Sequence, residues 1–187
     1  MPVTTLDPRS ALVVIDLQKG LLAYPTLAPI AGIVDRAGAL AAAFRRRGLP
    51  VVLVNAAGRP PGRTDQQRPA LALPPGWTDI VPELGQRDDD IAITKHASGA
   101  FGESALAAEL RARGVTQVVI VGVATSNGVE ATARGAYDLG FNVTLPTDAM
   151  TDVDAAAHEH SATRIFPRIA ETGSTADVLA LLAARGD

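Results

Sequence analysis

The chain of 187 residues contains no cysteine. That absence excludes disulfides, thiolate metal sites, iron–sulfur clusters and any thiol nucleophile. Lysine is nearly missing as well: 15 arginines are joined by only two lysines, Lys19 and Lys95. Together with 34 alanines, this surplus of arginine reads as base-composition bias, against which each retained lysine is more informative than usual. The net charge is −3 and no basic face or tail is visible, which argues against a nucleic-acid partner. No apolar run approaches the ~20 residues of a membrane span. The longest, such as residues 115–124, have the length of a strand. Residues 1–12 contain Asp7 and Pro8 and lack a basic start followed by an apolar core. The expectation is a cytoplasmic protein of one domain, 1–187, with no membrane contact.

Short apolar runs alternate with helical stretches. Strands are predicted at 11–16 (ALVVID), 50–55 (PVVLVN), 91–95 (IAITK), 117–123 (QVVIVGV) and 142–145 (NVTL), with a possible sixth at 168–171. Helices are predicted at 31–47, 103–113, 126–139, 154–166 and 174–184. Gly48, Gly114 and Gly140 serve as stops and Ser174 as an N-cap. The strands are continuously apolar, which calls for a parallel sheet covered by helices on both faces. Residues 56–81 break the alternation with Pro60, Pro61, Pro69, Pro74 and Pro75. A connection that long predicts a lid or active-site loop. Its Arg59, Arg63 and Arg68 could clamp a carboxylate or simply face solvent, and Trp77 could line an interface or a pocket wall.

In such sheets ligands sit beyond the carboxyl ends of the strands. The residues that finish strands are therefore the informative ones. Asp16 ends the first strand, where a buried acid is costly unless it is paired or performs chemistry. Lys95 ends the third; in an arginine-rich chain, a lysine there suggests a compact ammonium. The turn Gly122-Val123-Ala124-Thr125-Ser126-Asn127-Gly128 runs from the fourth strand into a helix, so its N–H groups form a candidate anion or oxyanion site. It holds neither a G-x-G-x-x-G nor a G-x-x-x-x-G-K-[ST] pattern.

Three stretches carry a resemblance: ALVVIDLQKG around Asp16, ITKHASGAFGES around Lys95, and VVIVGVATSNGVEATARGAYDLGFNVTLPTDAMTD over 118–152. Together they resemble the isochorismatase-like hydrolase superfamily, which includes isochorismatases, nicotinamidases and N-carbamoyl and ureido amidohydrolases. The resemblance implies a three-layer α/β/α sandwich with a six-stranded, mainly parallel, doubly wound sheet. It also implies a non-proline cis peptide at Val123–Ala124. Most of the superfamily uses an Asp-Lys-Cys triad. Asp16 and Lys95 match the first two, and the cysteine position falls on Gly128. The metal site of nicotinamidase-like members needs a D-x-H-type run after the second strand, and here the run is Asn55-Ala56-Ala57-Gly58. No metal or cofactor is therefore expected. His158 and His160 read as surface residues of one helix.

True isochorismatases likewise carry glycine in place of the cysteine. By that resemblance Asp16 is the acid that protonates a vinyl ether, Lys95 tunes it and holds a carboxylate, and amides near Gly128 bind an anionic group. Gln18, Phe101, Val123, Ala124, Thr125, Ser126 and Asn127 are the implied substrate contacts, although Phe101 could equally be helix packing and Ser126 a cap. The substrate is a small anionic molecule, and the family commonly forms dimers or larger homo-oligomers. Two other readings stay open: amide hydrolysis by Asp-activated water, and a binding protein that kept the pocket and lost the chemistry.

Overall fold

The computed structural model describes residues 3–22, 24–66, 73–102 and 105–185. Arg68, Pro69 and the first two residues of the predicted helix 103–113 lie outside them.

The first strand, β1, is Ser10–Ile15, and every residue in it is buried. A strand covered on both faces needs apolar side chains at every position, as SALVVI provides. Helix α1 (Ile30–Arg46) follows, then β2 (Val51–Ala56), β3 (Ile91–Lys95), α2 (Leu106–Ala112), β4 (Gln117–Val123), α3 (Glu130–Asp138) and β5 (Asn142–Pro146). The chain ends with β6 (Met150–Thr151), α4 (Ala155–His160), β7 (Glu171–Gly173) and α5 (Thr175–Ala184). Ser174 caps α5 as expected, and its reciprocal bond with Asp177 completes a capping box.

The strand order is β3-β2-β1-β4-β5-β7, with β6 paired to β4. Every pairing is parallel. The sheet thus has one strand more than the six expected. A two-residue strand is too short to show any hydrophobic period, so β6 leaves no mark in the sequence. One face packs Leu12, Val14, Val119 and Val121 against α1 and α5. The other packs Val13, Ile15, Val118 and Ile120 against α2 and α3. The result is the predicted three-layer sandwich, with β1 and β4 at its centre.

Beyond shifts of one to three residues at other ends, three elements differ from expectation. The predicted helix 126–139 opens as a π-turn, Thr125–Val129, before α3 begins. The predicted helix 154–166 divides into α4, a π-turn at Ser161–Ile165 and a 3-10 turn at Phe166–Arg168. Pro167 has no N–H for the helical ladder, which accounts for the stop there. The last strand lies at Glu171–Gly173, shifted from 168–171.

Candidate active site

Strand order reverses between β1 and β4, because the chain leaves β1 toward β2 on one side and later returns to β4 on the other. A crevice opens at such a switch point, outside the carboxyl ends. Asp16 stands directly after β1 and Val123 directly before the turn that follows β4, so both border it.

Asp16 has φ +56°, the left-handed region, and is the one non-glycine residue there among those described. Aspartate tolerates that conformation better than most residues. Its backbone N–H still donates to the Val54 carbonyl at 2.9 Å, so the chain bends only after the ladder has closed. Asp16 is 6% exposed, and its Oδ2 lies 2.8 Å from the Lys95 ammonium. Oδ1 is buried with no hydrogen-bond partner. Burial pushes the carboxyl up to about 6, with the charge and hydrogen bond of Lys95 opposing the rise.

Lys95 reaches Asp16 from the end of β3, across β2. Its ammonium also donates to the carbonyls of Ser98 at 3.0 Å and Ala97 at 3.4 Å. An ammonium has three hydrogens, and these three acceptors engage them all. Holding a substrate carboxylate, the expected second role of Lys95, would require one of these contacts to give way.

Gly128 faces the pair. A Cβ at this position would stand 3.3 Å from Asp16 Oδ2, 3.1 Å from the Val123 carbonyl oxygen and 3.0 Å from Ile15 Cγ2. Asp16, Lys95 and Gly128 thus meet at one point, although they are far apart in sequence. Gly122 allows the approach of β4 to β1: with φ +116°, its position would put a Cβ 2.1 Å from the Ile15 carbonyl oxygen. The Val123–Ala124 peptide is cis.

The remaining site residues divide. Ala124 and Ser126 are half-buried and Asn127 is exposed at the turn. Val123 packs in the core beside α1. Thr125 is fully buried, and its hydroxyl lies 2.9 Å from His158 Nδ1 on α4. His158 is thus a neighbour of the turn that helix periodicity alone did not single out. Phe101 belongs to the core, with its ring 5.8 Å from that of Phe141 and its Cβ against Gly135. Of the two readings for Phe101, packing is the one that matches this contact set.

Gln18 also differs from expectation. It is fully buried; its amide donates to the carbonyls of Ala56 and Trp77 at 3.1 and 3.2 Å and accepts from the Ala56 N–H at 2.7 Å. Asn55 adds a bond from Nδ2 to the Thr78 carbonyl at 3.0 Å. These two amides fasten residues 77–78 of the predicted lid to the end of the sheet. The Trp77 indole lies on Gly20, where a Cβ would come within 2.2 Å of the ring.

The turn's amides are partly occupied from within. Asp152 takes the Ser126 N–H at 2.7 Å and the Val153 N–H at 2.8 Å. Burial alone would raise this carboxyl, but the N–H donors of Ser126, Val153 and Asp154 outweigh it and hold the group below its usual range. The expected anion subsite at this turn is thus filled, at Ser126, by the protein's own carboxylate. In the sequence, Asp152 is marked only by its place in the segment that follows the fifth strand.

Such a fold, with a buried Asp16–Lys95 ion pair at its switch point, defines a doubly wound α/β protein. The family follows from comparison: residues 10–177 match the isochorismatase domain, and the chain belongs to that family of hydrolases. It is 41% identical to the isochorismatase family protein YecD of Escherichia coli O157:H7, over 91% of this chain and 94% of that protein. It is 36% identical to YwoC of Bacillus subtilis, over 91% and 93%. An isochorismatase family protein from Burkholderia thailandensis superposes with a TM-score of 0.92 at 38% identity, covering 96% of this chain and 98% of that one. Relatives named for a reaction include nicotinamidase 3 of Arabidopsis thaliana, 31% identical over 82% of this chain and 80% of that protein. No helix among the described residues is long and apolar enough to cross a membrane.

Proposed function

We propose that this hydrolase acts by acid–base chemistry at Asp16, without a nucleophilic side chain, and that its substrate is a small anionic vinyl ether. The observation that carries the reading is the state of the Asp16 carboxyl. It is buried, raised to about 6, and carries one oxygen that no hydrogen bond among the described residues satisfies. A proton on Oδ1 leaves Oδ2 on Lys95. Gly128 presents no side chain beside it, and the chain contains no cysteine to form a covalent intermediate.

In this mechanism Asp16 protonates the methylene carbon of the vinyl ether, which leaves an oxocarbenium ion. Water adds to the ether-bearing carbon of that ion and returns a proton to the Asp16 carboxylate. The hemiketal then separates into a ketone and an alcohol. Lys95 stabilises the carboxylate after each proton transfer. The exposed Arg63, in the segment after β2, is the residue assigned to the substrate's charge.

The short Lys95 contact also favours an ionised carboxylate, and so supports a second reading, amide hydrolysis by Asp16-activated water. The pH profile separates them. For the acid, kcat/KM on a vinyl ether falls as pH rises through about 6; for the base, turnover of an amide or ureido acid rises over the same range. A panel of vinyl ethers, amides and ureido acids assayed across this range tests the proposal. Binding without turnover across the whole panel would overturn it in favour of a binding protein on this scaffold.

A further inference from the structure

A lysine that restrains an acid has to stand at a fixed distance from it, and one buried hydroxyl outside the pair bears on that distance. Lys95 is held on its far side by the Ala97 and Ser98 carbonyls. Two residues later the same loop reaches α3. The Ala100 N–H donates to Thr132 Oγ1 at 3.1 Å, and Thr132 Oγ1 donates to the Gly128 carbonyl at 2.6 Å. Thr132 is fully buried. The backbones are pressed together at this seam, since a Cβ at Gly99 would lie 2.9 Å from the Ala131 carbonyl oxygen. A threonine bonded to the carbonyl four residues back is common in helices and alone only shapes the helix. Here the same oxygen also receives the loop that cradles the lysine. One hydroxyl therefore joins the cradle of Lys95 to the residue that faces Asp16.

We propose that Thr132 is a positioning residue for the Asp16–Lys95 pair, its hydroxyl holding loop 97–100 against the Gly128 turn and so setting where the ammonium stands. The inference rests on the reading of Asp16 as the acid. Thr132 itself lies behind Gly128 and acts through the loop. Burial drives the Asp16 carboxyl upward and Lys95 is the group that restrains it. A loosened cradle weakens the restraint, and the carboxyl then titrates higher.

The test is a carbon-13 NMR titration of the Asp16 carboxyl in the full chain, compared between wild type, Thr132→Val and Thr132→Ser. Valine keeps the shape and removes the hydroxyl. The expected result is an Asp16 midpoint about one pH unit higher in Thr132→Val, and a wild-type midpoint in Thr132→Ser. A lowered melting temperature with an unmoved midpoint would make Thr132 purely structural and overturn the proposal. Should the valine variant fail to fold, Thr132→Ala removes the same hydroxyl with a smaller side chain and is read in the same way. The titration needs no substrate, so its outcome is separate from that of an Asp16→Asn turnover assay. Full activity in Asp16→Asn would remove the acid reading and leave the titration result standing.

Discussion

Strand β3 is five residues long and has a buried ion pair at each end. At its start, Asp90 meets Arg45 in a two-pronged contact, with bonds of 3.0 and 2.7 Å. The Arg87 N–H also donates to Asp90, and Arg45 donates onward to the Leu84 carbonyl. At its finish, Lys95 meets Asp16 through a single oxygen and leaves the other bare. Both pairs are almost fully shielded from solvent, with side-chain exposures of 6% and 2% in the first and 6% and 9% in the second. Burial alone therefore does not distinguish them. What differs is satisfaction: the Arg45–Asp90 pair is closed on itself, while the Asp16 pair is incomplete and holds its carboxyl near the pH at which a proton can be given or taken.

Substitutions at the two ends should separate these roles. The largest effect belongs to Asp16→Asn, with turnover falling by about 10²–10⁴-fold, the usual contribution of a positioned acid. Its circular dichroism should stay that of a folded protein, because Lys95 keeps its two carbonyl acceptors. Asp90→Ala should do the reverse. It strands Arg45 in the interior and should lower unfolding free energy by about 3–5 kcal/mol in urea titrations, while Asp16 still titrates at its wild-type midpoint. An Asp90 variant as stable as the wild type would erase the contrast.

A smaller effect concerns pH. The folded-state value of Asp16, about 6, lies above its ordinary 3.8, so the native state holds the extra proton between those values. The contribution to stability is fully present below about pH 3.8 and is lost as pH rises through about 6, in total about 3 kcal/mol. Denaturant midpoints measured between pH 4 and 8 should show this slope, and Asp16→Asn should flatten it. Gly128→Ala should have the smallest effect, about 1–3 kcal/mol of instability from overpacking against Ile15 and the Val123 carbonyl.

Much of this site is legible from strand ends. Asp16 and Lys95 stand out because a charge closing an apolar run needs a reason, and in this chain lysine is rare. Gly128 is legible through the family motif around it. What escaped was the use of side chains that bond to backbone. Gln18 sits next to the acid in sequence, yet its amide belongs to Ala56 and Trp77. Asp152 takes the Ser126 N–H, one of the turn amides offered to a substrate anion. Helix periodicity places His158 on a surface without showing that the opposite wall of that surface is Thr125. Hydrogen bonds of this kind join residues tens of positions apart, and no local pattern encodes them. The fold itself was more readable, because burial on both faces imposes a continuous apolar run on each strand long enough to show one. The two-residue β6 was not.

The bare position beside Asp16 can also be considered in genetic terms. Where a glycine is encoded by GGU or GGC, a change in the first base writes cysteine. At residue 128 that change would place a sulfur-bearing side chain among Ile15, the Val123 carbonyl and the Asp16 carboxylate, with contacts that need to ease by only a few tenths of an ångström. Everything else the thiol would use, from the cradled ammonium to the capped turn, is already in position. On the proposed reading, and with such a codon at residue 128, hydrolysis borne by a proton and hydrolysis borne by a nucleophile would stand a single nucleotide apart on this scaffold.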